Sequence, residues 1–295
     1  MSNSDQIQRF LFDGTDVRGV LVGLQDSYQE ALSRHDYPIQ VESLVGEMLA
    51  AVGLLSSTLK FEGRLSLLAR GEGPVSMLMA ECNHQRDLRA VARWQGELPE
   101  AADINGMLGQ GQLAITIEPK KGNRYQGIVP LEKNSLAQCL EDYFLQSEQL
   151  DTRIFLAADG ERSAGMLLQA LPGNDSSSVE DAQESWRRIT HLGSTLSCQE
   201  LLMLTNDELL HRLYHEETVR LFGAEDLRFA CDCSRERSLS VLKTLAVEEL
   251  EDMLETQGSI VMDCQFCNSR YSFDRTSIAE IQGVSGAVGP SEGCH

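Results

Sequence analysis

Residues 229–237 read FACDCSRER, and residues 260–273 read IVMDCQFCNSRYSF. Two cysteine pairs, Cys231 with Cys233 and Cys264 with Cys267, are thus separated by 30 residues late in the chain. That spacing lets both pairs converge on one ion. Zn²⁺ takes four thiolates in a tetrahedron, and a structural site of this kind is closed, with no open coordination position. Cys264-Gln-Phe-Cys267 lies between two strand-like patterns, 260–263 and 270–273, as in a zinc knuckle. Cys231-Asp-Cys233 is tighter than the usual two-residue spacer. Four buried free cysteines are the plain alternative, common for lone cysteines but ill suited to two close pairs. The expectation is one Zn²⁺ per chain on Cys231, Cys233, Cys264 and Cys267.

Outward from these pairs, composition narrows what such a site serves. The chain has 295 residues, with 25 Lys and Arg against 45 Asp and Glu, a formal net charge of −20. Residues 231–295 alone carry −6. A negative surface repels phosphate backbones and anionic lipid, so neither nucleic acid nor membrane is expected as a partner. No apolar run approaches the ~20 residues of a membrane span. The start, MSNSDQIQRF, lacks the basic region and apolar stretch of a signal peptide. A cytoplasmic protein is expected, and in a reducing cytosol eight cysteines point to metal or redox chemistry rather than standing disulfides. A thioredoxin-like CxxC opens a helix, whereas Cys264 sits in a hairpin-like stretch, which disfavours a disulfide oxidoreductase.

The first 170 or so residues read mainly as strands. Residues 9–12 and 19–24 form a hairpin signal around an Asp-Gly-Thr-Asp turn. Residues 41–59 read as a mostly apolar central helix. Further strands are expected at 64–69, 75–82, 88–93, 113–118, 126–130, 153–158 and 165–170, and a second helix at 136–146. Strands in runs indicate an α+β fold, with antiparallel-rich sheets packed on the central helix. The stretch PGNDSSS at 172–178 marks a boundary. Beyond it Ser177 with Glu180, Ser197 with Glu200 and Thr205 with Glu208 have capping-box spacing and would start helices near 178, 198 and 206. Their apolar stripes are Trp186, Ile189, Leu192 and Leu196, then Leu201, Leu202 and Leu204, then Leu209, Leu210, Leu213 and Tyr214. Short helices cannot bury such stripes among themselves, so they must lie on the first domain, the last, or a partner. A Leu/Glu-rich helix is expected at 240–255. The expected organisation is an α+β domain at 1–173, a helical linker at 174–230, a small zinc-binding domain at 231–282 and a disordered tail at 283–295.

Thiolates are the form that oxidants attack, and a neighbouring cysteine can capture the sulfenate that results. Metal binding contributes on the order of 10–16 kcal/mol in small zinc peptides, against a typical domain stability of ~5–15 kcal/mol. A small section with a thin core should not survive its loss. The last section then reads as a latch that unfolds on oxidation, and the amphipathic segment before it is what the latch releases.

At this point the sequence resembles the redox-regulated holdase chaperones of the heat-shock protein 33 family. The carrying stretches are Phe229 to Arg237, Cys264-Gln-Phe-Cys-Asn268 with Tyr271 and Phe273, and FLFDGT at 10–15. YQGIVP at 125–130, YFLQSEQ at 143–149 and YHEE at 214–217 extend them, so that the resemblance covers residues 5–280. It implies an N-terminal α+β domain, a metastable helical linker and a C-terminal zinc redox switch, inactive when reduced and zinc-bound. It further implies that oxidation forms Cys231–Cys233 and Cys264–Cys267 disulfides, releases zinc, unfolds the linker and favours a homodimer. The exposed apolar surface then holds unfolding client proteins without ATP. A zinc-ribbon scaffold that binds a folded partner constitutively is the second reading of the same residues, and a thiol oxidoreductase the third.

The remaining candidates have bland readings. His211 and His215 have metal-binding spacing on a helix but no evident third ligand. Cys82, Cys139 and Cys198 read as core or half-buried residues, and Cys294 has no assigned role. Gly109-Gln-Gly111 lacks the third glycine of a dinucleotide loop and reads as a turn. Arg235 and Arg237 read as structural, and Glu248, Glu249, Glu251, Asp252 and Glu255 as a solvated helix face. No Ser/His/Asp or paired-carboxylate arrangement stands out, so no enzyme is expected.

Overall fold

In the computed structural model, which describes residues 5–57, 62–100, 103–172 and 179–281, strands dominate as far as Ala170. The first of two units ends at Ala230. It opens with β1 (Gln6–Phe12), β2 (Val17–Leu24), α1 (Asp26–Leu32) and α2 (Ile39–Ser56). Then come β3 (Gly63–Gly71), β4 (Val75–Asn83), β5 (Asp87–Trp94), α3 (Ile104–Leu108), β6 (Gly111–Pro119) and β7 (Tyr125–Pro130). The chain continues through α4 (Leu136–Tyr143), β8 (Thr152–Ala158) and β9 (Ser163–Ala170). Three helices follow, α5 (Val179–Gly193), α6 (Cys198–Met203) and α7 (Asn206–Tyr214). The unit closes with short strands β10 (Val219–Leu221), β11 (Glu225–Asp226) and β12 (Arg228–Phe229). One sheet runs β10-β1-β2-β9-β8 with β11 also on β1, and the other runs β12-β5-β4-β3-β6-β7. The architecture is α+β, as expected.

Helix α2 holds the two sheets together. It is buried without interruption from Met48 to Ser56 and shares one core with residues of both sheets, among them Val20, Leu67, Leu78 and Leu167. Its 18 residues have a mean hydropathy of 1.4, enough by length and composition to cross a membrane. The expectation that no run approaches a span is thereby amended, because a helix buried all round needs the same composition. Gly46 permits the close approach, since a Cβ there would come within 2.5 Å of the Ala158 methyl. The expected end of this helix at Leu59 lies outside the described residues.

Period-two alternation lets the first sheet bury both faces. Val20, Val22 and Leu24 of β2 face α2, while Val17 and Leu21 face the other way. Likewise Leu167 of β9 faces α2, and Ala164, Met166 and Leu168 face away. That second face is covered by α5, α6 and α7 through Ile189, Leu201, Leu209, Leu210, Leu213 and Tyr214, with Trp186, Leu192, Leu196, Leu202 and Leu204 partly buried around them. The Tyr214 ring meets Phe12 edge-on at 4.8 Å, and its hydroxyl donates to the Ile189 carbonyl at 3.3 Å. Two capping boxes are complete. The Glu200 N–H donates to Ser197 Oγ at 3.2 Å and the Ser197 N–H to the Glu200 carboxylate at 3.0 Å. Thr205 and Glu208 repeat the exchange at 3.3 and 2.9 Å. The Ser177 box lies outside the described residues, as does the tail from 283.

Residues 219–229, read from sequence within the helical linker, are extended instead. β10 and β11 pair antiparallel with β1, and β12 pairs parallel with β5, so this stretch edges both sheets. Glu225 bridges Arg9 at 2.8 Å and Arg86 at 2.9 Å, and Arg228 pairs with Asp87 at 2.6 Å. The reason is side-chain pairing and register, which strands this short do not advertise as a periodic pattern. The second expected helix also differs: α4 passes into a π-helical turn at Phe144–Glu148. There Tyr143 packs where a Cβ on Gly127 would fall 2.3 Å from its ring, and its hydroxyl donates to Glu148 at 3.0 Å. The YQG and YFLQSE motifs are thus one packed cluster.

The second unit begins at Cys231. Its described elements are α8 (Arg235–Leu242), α9 (Val247–Gln257), β13 (Ile260–Asp263), β14 (Arg270–Phe273) and α10 (Arg275–Ile281). The single helix expected at 240–255 is two. The Ala246 N–H donates to Glu249 and starts α9 afresh, which brings Leu242, Leu250 and Leu254 onto the same core as Ile260, Phe273 and Ile278. That core is small.

Candidate metal centre

Both cysteine pairs sit on irregular backbone fixed by the elements beside it. Cys231 and Cys233 span the step between β12 and α8, and Ser234 caps α8 by accepting from the Arg237 N–H at 3.2 Å. Cys264 and Cys267 occupy the turn of the β13–β14 hairpin, whose register ends at Asp263 opposite Arg270. The Asn268 N–H donates to the Cys264 carbonyl at 2.8 Å, and the Cys264 N–H to the Ser269 carbonyl at 2.9 Å. Asn268 takes a left-handed φ of 54°, which asparagine tolerates better than most residues. A tight knuckle results, with both thiols turned to one side.

All four Sγ atoms lie within 4.8 Å of one another. Across the motifs, Cys231 Sγ lies 3.6 Å from Cys264 Sγ and Cys233 Sγ 3.3 Å from Cys267 Sγ. Four sulfurs at ~2.3 Å from a tetrahedral ion stand roughly 3.8 Å apart, so the spacing fits such an ion. An all-sulfur tetrahedral set suits zinc or iron rather than magnesium or calcium. Among the described residues no other cluster of Cys, His, Asp and Glu offers a metal site.

The electrostatics favour a cation here. Burial pushes the Cys231 and Cys233 thiols above their ordinary range, so without positive charge they stay protonated. Burial also raises Cys267, but hydrogen bonds from Ser269 and the neighbouring thiols outweigh it and bring this group to about 7. The Tyr271 hydroxyl donates to Cys233 Sγ at 3.2 Å, and Ser269 Oγ lies 3.2 Å from Cys267 Sγ. Outer hydrogen-bond partners of this kind fix the orientation of the sulfurs. Ser269 was not foreseen from sequence, and Tyr271 only as part of a motif. Their positions, two beyond Cys267 and the first inward place on β14, are the signal that could have found them.

Around the site, Arg237 pairs with Asp232, and Arg270 grips Asp263 at 2.8 and 3.1 Å. Arg235 lies 4.5 Å over the Phe273 ring and donates to the Ser272 carbonyl at 2.5 Å. Both arginines singled out in the sequence thus serve the unit's own structure. His211 and His215 are exposed, with ring centroids 6.1 Å apart. Cys82 and Cys139 are buried, but Cys198 is exposed, contrary to the core or half-buried reading, because it opens α6 on the solvent side. Gly109 has φ 66° and ends α3, which makes the Gly-Gln-Gly stretch a turn. Cys294 lies outside the described residues.

Comparison with known proteins places these features together. A family model described as Hsp33 protein matches residues 5–274. The 33 kDa chaperonin of Ectopseudomonas mendocina is 52% identical over 294 residues, covering 99% of this chain and 100% of that protein. The 33 kDa chaperonin of Pseudomonas aeruginosa (strain UCBPP-PA14) is 51% identical over the full length of both. The crystal structure of a 33 kDa chaperonin from Thermotoga maritima superposes with a TM-score of 0.81 at 23% identity, covering 95% of this chain and 98% of that one. That likeness supports the fold.

Proposed function

The chain belongs to the Hsp33 family, and from that premise we propose that it is an ATP-independent holdase chaperone, inactive when reduced and switched on by oxidation. The convergence of Cys231, Cys233, Cys264 and Cys267 within 4.8 Å carries the reading. Zinc, when bound, holds the four sulfurs as thiolates and clamps the small second unit. In that state the Tyr271 hydroxyl places a hydrogen bond on Cys233, Ser269 Oγ stands beside Cys267 Sγ, and α5 to α7 keep their stripes on the first sheet.

Oxidation follows ordinary thiol chemistry. A thiolate attacks one oxygen of hydrogen peroxide, expels hydroxide and becomes a sulfenic acid. A neighbouring thiolate displaces that hydroxyl, so two sulfurs lose two electrons and the peroxide leaves as two waters once protons are supplied. The proposed bonds are Cys231–Cys233 and Cys264–Cys267, as the resemblance implies. Each needs its sulfurs at ~2.05 Å, so the tetrahedral arrangement is lost and no thiolate remains to hold an ion. Residues 231–282 then have only the core of Leu242, Leu250, Leu254, Ile260, Phe273 and Ile278 to keep them folded. As the second unit melts, α5 to α7 leave the sheet. The helix stripes and Phe10, Phe12, Leu21 and Met166 beneath them become surface for unfolding proteins and for a second copy of the chain. The net charge of −20 keeps that exposed form in solution.

The test treats zinc-loaded protein in the cytoplasmic pH range with peroxide at mild heat, then measures zinc release and suppression of client aggregation. Both should rise together. Equal suppression by reduced and oxidised protein removes the switch and favours a constitutive scaffold. Mapping of the disulfides by mass spectrometry checks the pairing separately, and Cys231–Cys264 or Cys233–Cys267 bonds would overturn it.

A further inference from the structure

A cavity of about 220 Å³ opens where α2, α4 and β8 meet the segment leading into α6. Its walls are mainly apolar, formed by Ile154, Phe155, Leu156, Leu196 and Leu201, with Cys198 also on the lining. Glu47 of α2 faces the same space. Among the described residues this carboxyl has no hydrogen-bond or ion-pair partner, and burial alone pushes it up to about 7. The arginine available on β8, Arg153, is committed to Glu141 at 2.7 Å, and the second oxygen of Glu141 accepts from the Ile154 N–H. A core acid without a partner is costly wherever it ionises. Nothing in the proposed redox switch uses it.

We propose that this cavity binds a small organic amine with a compact apolar body, the ammonium group set against Glu47. The chemistry matches at both ends. A protonated amine supplies the charge-assisted hydrogen bond that Glu47 lacks, while the aliphatic and aromatic walls take a ring or branched alkyl group. A cavity of ~150 Å³ accommodates benzene, so this one has room for a ring with a one-carbon arm. A shallower groove of about 530 Å³ shares Ser135, Ala137, Ile154 and Phe155 with the cavity and provides the way in from solvent.

Because Cys198 and Leu201 belong to α6, the site is complete only while α6 is docked. A bound amine therefore stabilises the docked form by mass action. Its effect on activation rests on the function proposed above; the binding itself does not.

The experiment is a calorimetric titration of the full-length, zinc-loaded protein with benzylamine. Saturable one-to-one binding is expected, weakened at least tenfold by Glu47→Gln and at least tenfold when benzyl alcohol replaces benzylamine. Ala137→Phe, which fills the cavity from α4 and leaves Glu47 in place, should abolish it and keeps the test decisive if Glu47→Gln misfolds. Circular dichroism and zinc content establish that each variant is folded. Equal affinity of the wild type for the alcohol, equal binding of benzylamine by a folded Glu47→Gln protein, or no saturation at millimolar benzylamine overturns the proposal. A protein that fails to activate with peroxide would still bind the amine, so the two readings fail separately.

Discussion

The sheet built around β1, β2, β9 and β8 carries helices on both faces, and the two covers are unlike. α2 is one long helix, buried through its second half and packed on both sheets at once. α5, α6 and α7 are short, mostly exposed along their outer sides, and bury their stripes against this sheet and not the other. Removing α2 dissolves the core of the whole unit, whereas removing α5 to α7 gives up one interface and leaves the other core intact. Free energy of opening is not uniform across a structure. The difference lies in how many partners each cover has, not in the kinds of side chain that touch the sheet.

The largest effect is expected from Cys264→Ser without oxidant. Metal affinity should collapse, the second unit should lose protease resistance, and amides of α5 to α7 should exchange faster while those of α2 stay protected. Unchanged zinc affinity and protease resistance would count against a four-cysteine site, and equal loss of protection in α2 would break the comparison between covers. Next come two core truncations. Leu49→Ala in α2 and Leu209→Ala in α7 remove side chains 0% and 1% exposed, and each should cost ~2–5 kcal/mol. Hydrogen exchange should show the first loosening the whole unit and the second only α5 to α7.

A pH effect of roughly 2–3 kcal/mol should follow from Glu47. Its carboxyl sits at about 7 in the folded protein, above the ordinary 4.5. It therefore costs nothing below the unfolded value, and stability is lost as pH climbs from there through 7. Melting of the first unit should fall over that range, and Glu47→Gln, which stays neutral, should flatten the slope. An unchanged slope in the variant would assign the pH dependence elsewhere. The smallest effect is Thr205→Ala, which removes half of one capping box and should loosen α7 by ~1 kcal/mol in local hydrogen exchange.

Much of this contrast was legible in the chain. The capping boxes at Ser197 and Thr205 and the stripes from Trp186 to Tyr214 specified amphipathic helices needing a surface, and the strand alternation supplied one. The four cysteines announced themselves by spacing. Three things were hidden, each for a physical reason. The strands at 219–229 are two or three residues long and owe their form to β1 and β5, so no local period marks them. The break between α8 and α9 depends on one glutamate turning back to its own helix start. Glu47 reads as an ordinary polar position until the fold surrounds it with apolar walls.

The edge strands at 219–229 also bear on how the released helices behave. β9 holds the chain at Ala170, and β10 to β12 hold it again from Val219 to Phe229. If those anchors survive, residues 171–218 come away as a closed loop rather than a free tail. A loop with fixed ends loses less entropy on returning than an open chain does, and the length between anchors changes that cost only slowly. Once any client or second copy has left, recovery after reduction then becomes a local, unimolecular event on a surface that never moved away.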